Sequence, residues 1–106
     1  METKTHCFVM NLSSGDAETY QRRHDDIPEE LVQLLREAGV SDYSIYLDET
    51  TGMLFGILQR APDHRMDELA ENPTMKKWWA QMKDLMETHS SNEPVTRTLR
   101  RVFHMK

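Results

Sequence analysis

Apolar and polar residues alternate with a period of two from Cys7 to Leu12. Phe8, Met10 and Leu12 fall on one side, and Cys7, Val9 and Asn11 on the other, which predicts a strand. Ser13-Ser14-Gly15-Asp16 reads as a turn that offers helix caps. A helix is expected from about Ala17 to His24. Asp26 and Glu29 stand three apart, as in a capping box, and Pro28 is tolerated only at an early helical position. The chain is therefore expected to break near Asp25 and restart. The second helix carries Ile27, Leu31, Leu34, Leu35 and Ala38 on one stripe, and Gly39 ends it.

Alternation returns at Tyr43, Ile45 and Leu47 against Ser44, Tyr46 and Asp48, a second strand. Glu49-Thr50-Thr51-Gly52 reads as a hairpin turn, and Met53 to Gln59 as a third strand. Gly56 within it either leaves room for a ligand or a neighbouring backbone, or marks a bulge. Ala61-Pro62-Asp63 opens a helix through Met66, Leu69 and Ala70. Asn72-Pro73 is a cap followed by proline at the first helical position, and the next helix carries Met75, Trp78, Trp79, Met82, Leu85 and Met86. A polar loop from Thr88 to Pro94 precedes a last strand over roughly Leu99 to Met105. The order strand, helix, strand, strand, helix, strand is the ferredoxin-like pattern: an α+β fold with an antiparallel sheet and helices on one face. The other sheet face stays open unless something packs there. A second copy is the expected occupant, giving a symmetric homodimer of the dimeric α/β-barrel type.

The 106 residues suffice for one domain, spanning 1–106, with a modest core. A net charge of −5 argues against a nucleic-acid partner, and Arg97, Arg100 and Arg101 read as a solvated edge or an interface. Cys7 is the one cysteine, so no internal disulfide forms, which suits a reducing compartment. No stretch approaches the ~20 apolar residues of a membrane span. The first residues lead into a strand without a signal-peptide core, so the expected location is the cytoplasm, with no membrane partner. The eight methionines fall mostly at apolar positions and read as adaptable core filler. Five histidines show no pair at usual ligand spacing, so no metal is expected. Neither a glycine-rich phosphate loop nor a nucleophile motif around a serine is present.

The chemistry that remains lies in Tyr20-Gln21-Arg22-Arg23-His24. Tyr20 and His24 are four apart, which on a helix makes them neighbours on one face. A histidine beside a phenol is an acid/base pair in one reading. In the other, Tyr20 is an ordinary half-buried helix residue and His24 a surface or capping histidine. Arg22 and Arg23 cannot both face the same pocket, so at least one is solvent-exposed or paired with a carboxylate. Trp78-Trp79 supplies flat apolar surface of the kind that packs on sugar rings. Adjacent helical residues point about 100° apart, so one of the two is expected in the core. Asp48 at a strand end reads as a turn former.

Taken in order, Phe8-Val9-Met10, Tyr20-Gln21-Arg22-Arg23-His24, Tyr43-Ser44-Ile45-Tyr46-Leu47-Asp48, Leu54-Phe55, Trp78-Trp79 and Val102-Phe103 resemble the L-rhamnose mutarotase family across essentially the whole chain. One departure is visible: similar proteins carry a tryptophan-proline-glutamate run after the histidine, where this chain reads Ile27-Pro28-Glu29-Glu30. The resemblance implies an isomerase that interconverts sugar anomers by opening and closing the ring. It implies His24 as the catalytic proton donor and Tyr20, Tyr43, Trp78 and Trp79 as substrate-binding residues. No cofactor is expected, because ring opening involves no redox or carbanion step. L-Rhamnose is the expected substrate. The alternatives are another 6-deoxy sugar such as L-fucose, or a non-catalytic ligand-binding module or small oxygenase built on the same dimer.

Overall fold

A computed structural model describes residues 2–13 and 15–106; Met1 and Ser14, the latter part of the expected turn, lie outside them. Strand β1 (Lys4–Asn11) leads to helices α1 (Ala17–Asp25) and α2 (Glu29–Glu37), then to the hairpin β2 (Val40–Asp48) and β3 (Met53–Arg60). Helix α3 (Pro73–Met82) and a two-residue strand β4 (Arg97–Thr98) complete the order. The sheet is antiparallel with strand order β2-β3-β1-β4. This is the ferredoxin-like architecture expected from the sequence.

β1 and β3 pair along their whole length, from Lys4 opposite Arg60 to Asn11 opposite Met53. Phe8 and Met10 of β1, Leu54 and Leu58 of β3 and Val40 of β2 turn inward, and with Tyr20, Met82, Leu85 and Met86 they form the core. All three helices cover that one face. Burying side chains such as Leu54, Leu58 and Leu31 contributes roughly 1.5–3 kcal/mol apiece. The hairpin turn closes where Gly52, at φ 78°, donates its N–H to the Asp48 carbonyl at 2.8 Å. Asp48 Oδ1 accepts from the Thr50 N–H at 3.0 Å, so this aspartate does form the turn.

Four elements differ from the sequence reading. One is the helix expected to carry Leu85 and Met86, which ends at Met82, with Lys83–Leu85 a 3₁₀ turn and Met86 extended. The capping box at Asp26 and Glu29 is not formed. Proline keeps the preceding residue out of the helical region, so α2 starts only after an extended Pro28 (ψ 136°), and Asp26 instead caps the end of α1. The helix expected from Ala61 is a short 3₁₀ segment, Met66–Glu71. Its approach is tied to the end of α2, where the Ala61 and Arg65 N–H groups donate to the Gly39 and Ala38 carbonyls, and His64 Nδ1 accepts from the Met66 N–H. At Asn72-Pro73 the expectation holds: Asn72 Oδ1 accepts from the Thr74 N–H at 2.9 Å with proline at the first turn.

The last strand differs as well. Pairing ends at Thr98 against Phe8, with one further bond from the Leu99 N–H to the Cys7 carbonyl. Residues 99–106 carry no strand. Val102, Phe103 and Met105 are all about 80% exposed, because this chain offers them no apolar surface.

Candidate active site

A cleft opens between the sheet and the helices, and its walls bring the singled-out residues together. Tyr20 and His24 lie one turn apart on α1, and their rings approach with centroids 4.3 Å apart. Trp78 of α3 meets the imidazole edge-on, 5.2 Å away at 89°. Tyr43 and Trp79 line the same cleft. Tyr20 is buried, and Trp78 packs against the core, as one of the two tryptophans was expected to do.

The imidazole is held in one tautomer. His24 Nδ1 lies 2.9 Å from the Tyr20 carbonyl oxygen, which can only accept, so Nδ1 carries the proton. In the neutral ring that leaves Nε2 with a free lone pair. Burial lowers the His24 pKa from the ordinary 6.5, opposed by the Tyr20 carbonyl and by Asp25. His24 is therefore a neutral imidazole, with a basic Nε2, throughout the neutral range.

The two tyrosines are pushed the other way. Burial, with a smaller contribution from Tyr43, raises the Tyr20 pKa above that of an ordinary phenol. Burial pushes Tyr43 up to about 12. Tyr43 lines the cleft and is 39% exposed. Both remain protonated at neutral pH and act as hydroxyl donors rather than bases.

Tyr43 reaches the cleft through an irregularity in β2. Val40 is a core residue and Tyr43, three positions on, turns to the same side of the sheet. Strict alternation forbids that, since an odd spacing puts side chains on opposite faces. The register slips between Ser41 opposite Gln59 and Ser44 opposite Ile57, leaving Asp42 and Tyr43 together opposite Leu58. The extra residue of this bulge is Asp42, at φ 50° in the left-handed region that aspartate tolerates better than most residues.

The role of Phe8 and the partner of Arg23 escaped the sequence reading, although a carboxylate partner or exposure for at least one of Arg22 and Arg23 was expected. Phe8 floors the cleft, stacked on His6 at 5.3 Å and tilted against Tyr43 at 6.2 Å. Its ring lies over Gly56 on the neighbouring strand, so the space that glycine leaves is taken by Phe8 rather than by a ligand, and no bulge occurs there. Arg23, beside His24, forms a two-pronged ion pair with Asp84 at 2.9 and 3.2 Å, while Arg22 is exposed. Spacing carries no sign of a partner 61 positions away.

Comparison with known proteins places the chain. The family model described as L-rhamnose mutarotase matches residues 5–105. The chain belongs to the L-rhamnose mutarotase family. Among similar members, the L-rhamnose mutarotase of Sinorhizobium medicae (strain WSM419) is 54% identical, over 95% of this chain and 97% of its own length. That of Rhizobium meliloti (strain 1021) is 56% identical, with the same coverage. The crystal structure of L-rhamnose mutarotase from Formosa agariphila superposes with a TM-score of 0.89 at 41% identity, covering 97% of this chain and 99% of that one. The resemblance read from the sequence and the ferredoxin-like fold both agree with this family. At the family's usual tryptophan-proline-glutamate run, this mutarotase-family chain places Ile27 against the cleft, and Pro28 lies beside Trp78 in a small crevice between α2 and α3.

Proposed function

We propose that His24 shuttles the proton in the interconversion of the α and β anomers of L-rhamnose, with Tyr20, Tyr43, Trp78 and Trp79 binding the sugar. The chain acts as an isomerase of this family. The observation that carries the assignment of His24 is its locked tautomer, with Nδ1–H on the Tyr20 carbonyl and Nε2 free.

In this reading Nε2 takes the proton of the anomeric hydroxyl. The electron pair of that O–H bond forms the C1=O1 double bond, and the C1–O5 ring bond breaks. The imidazolium then gives its proton to O5, which bears the electron pair of the broken bond. O1 and O5 are both bonded to C1, so one imidazole reaches both. The open aldehyde turns about C1–C2, and the same steps in reverse close the ring on the other face. Acid/base help of this kind typically supplies ~10²–10⁴ in rate. The protonated Tyr20 and Tyr43 donate hydrogen bonds to sugar oxygens. The indole faces cover the C–H surface and the 6-methyl group, and an indole N–H donates to a hydroxyl.

The test is saturation-transfer proton NMR on L-rhamnose and a panel including L-fucose. Irradiating one anomeric proton reports exchange into the other. Protein-dependent exchange that is fastest for L-rhamnose is expected. No acceleration for any sugar of the panel would remove the reading.

The reading includes a homodimer located in the cytoplasm. The open sheet face presents Tyr46, 63% exposed, beside Phe55 and Ile57, and the segment after β4 presents Val102, Phe103 and Met105. Apolar surface of this extent is normally covered. A second copy covers both at once by symmetry. The single Cys7 is unpaired, which suits a reducing compartment, and among the described residues no helix is long and apolar enough to cross a membrane. Light scattering on the eluting protein should give about 25 kDa, twice the 12.5 kDa of one chain. A single 12.5 kDa species at tens of micromolar would sink the dimer. Fractionation should leave the protein in the soluble cytoplasm; recovery from membranes or medium would contradict that placement.

A further inference from the structure

We infer that Arg23 is a positioning residue for the reaction: its guanidinium, forked over Asp84 and the Gln81 carbonyl, sets the distance between His24 and Trp78. This inference rests on the role proposed for His24 in the preceding section.

Three observations carry it. First, Arg23 precedes His24 on α1, and Gln81 follows Trp78 by three residues on α3, so the bond between Arg23 and the Gln81 carbonyl joins the two turns that hold the imidazole and the indole. Second, the joint is specific in direction. Nη1 and Nη2 each donate to one oxygen of the Asp84 carboxylate, at 2.9 and 3.2 Å, and Nη1 also donates to the Gln81 carbonyl. A planar fork fixes two helices in orientation as well as separation, which an ammonium on a flexible stem does not. Gln81 stands in the last turn of α3, where carbonyls lack helical partners and the helix end is negative, so a cation there meets both needs.

Third, α1 has few other ties. Among the described residues, every side-chain hydrogen bond from α1 to another element runs through Arg23. Its other anchors are the buried Tyr20 ring and the edge-on contact of His24 with Trp78, neither of which is a directional hydrogen bond to another element. With the fork gone, α1 can move along the sheet, and His24 gains water and loses its edge-on seat against Trp78. A misplacement of about 1 Å can cost ~10²-fold in rate, so a partial release of the helix is expected to cost about tenfold.

The groups facing His24 are Tyr20 and Asp25 from its own helix, Trp78, which does not titrate, from α3, and Tyr43 from β2 next to Tyr20. None of these is altered by substituting Arg23. Removing Arg23 deletes a positive charge and removing Asp84 a negative one, so their direct electrostatic effects on His24 are opposite, and an upward shift common to both variants reports a change in its burial.

The experiment compares the unmutated protein with Arg23→Gln, Arg23→Lys and Asp84→Asn. Anomer exchange on L-rhamnose is measured against pH, and the His24 imidazole is titrated by NMR in each. In Arg23→Gln and Asp84→Asn, the maximal rate is expected to fall about tenfold with little change in KM. The acid limb of the profile and the NMR titration should both move up towards 6.5. Arg23→Lys should recover only part of the rate, since it restores charge without the fork. A variant that melts earlier but keeps its maximal rate and its His24 titration would make the pair a structural tie only, and would overturn the inference. If the unmutated protein exchanges no sugar, the reading of His24 as a catalyst fails on that arm. The titration still judges the clamp: an upward shift of His24 in both Arg23→Gln and Asp84→Asn upholds the geometry, and its absence from either rejects it.

Discussion

His24→Gln lowers protein-dependent exchange between the anomers of L-rhamnose by ~10²–10⁴-fold, the range expected for losing a positioned acid/base group. Glutamine is the informative replacement. It keeps a polar side chain in a half-buried position but cannot take up and release a proton near neutrality. The fold should survive, because His24 flanks the core cluster without belonging to it. Circular dichroism and sedimentation would establish that, and saturation-transfer NMR would measure the exchange. Full activity in a folded His24→Gln protein would move the proton transfer to another group.

The same residue predicts a pH profile. Burial holds the His24 pKa below 6.5, so Nε2 stays available as the medium is acidified through 6.5, and activity declines only at the lower folded-state value. A stability effect accompanies it. Between the depressed folded-state pKa and the unfolded value near 6.5, the unfolded chain binds the extra proton. Stability contributed by a neutral His24 is thus fully present above about 6.5 and erodes as pH falls towards the folded value. In His24→Gln that segment of the stability curve should be flatter, whereas Tyr43, pushed up to about 12, and Tyr20, also raised above the ordinary phenol value, leave it unchanged.

What the sequence disclosed follows from the range of the forces involved. Alternation along Cys7–Leu12 and Tyr43–Asp48 is a local consequence of burying one sheet face, so both strands are legible. Tyr20 and His24 are neighbours through helix geometry alone, and their contact is legible for the same reason. The bulge at Asp42 is visible only once Val40 is known to be in the core and Tyr43 in the cleft, which requires knowing the pairing with Leu58. The fork between Arg23 and Asp84 joins elements far apart in sequence, and no periodicity marks it. The segment from Leu99 to Met105 reads as a strand in the sequence, yet in the single chain its pairing stops at Leu99.

Gly56 shows how a local choice serves the site, and its replacement is the second large effect expected. Phe8 and Gly56 are direct partners across β1 and β3. A Cβ built on Gly56 would overlap the Phe8 Cζ and come within 2.7 Å of both Cε atoms, far inside contact distance. Phe8 has little room to yield, with His6 stacked on it and Tyr43 tilted against it. Gly56→Ala should therefore destabilise the fold by about 1–3 kcal/mol, the usual cost of overpacking. It should also weaken sugar binding, because the displaced ring would intrude on the cleft beside Tyr43. Chemical denaturation would measure the first effect and the KM of anomer exchange the second. Phe8→Leu in the Gly56→Ala background removes the overlapping ring atoms and should restore part of the lost stability, a coupling that independent sites would not show. If the two substitutions instead add, the glycine is required for a reason other than the ring above it.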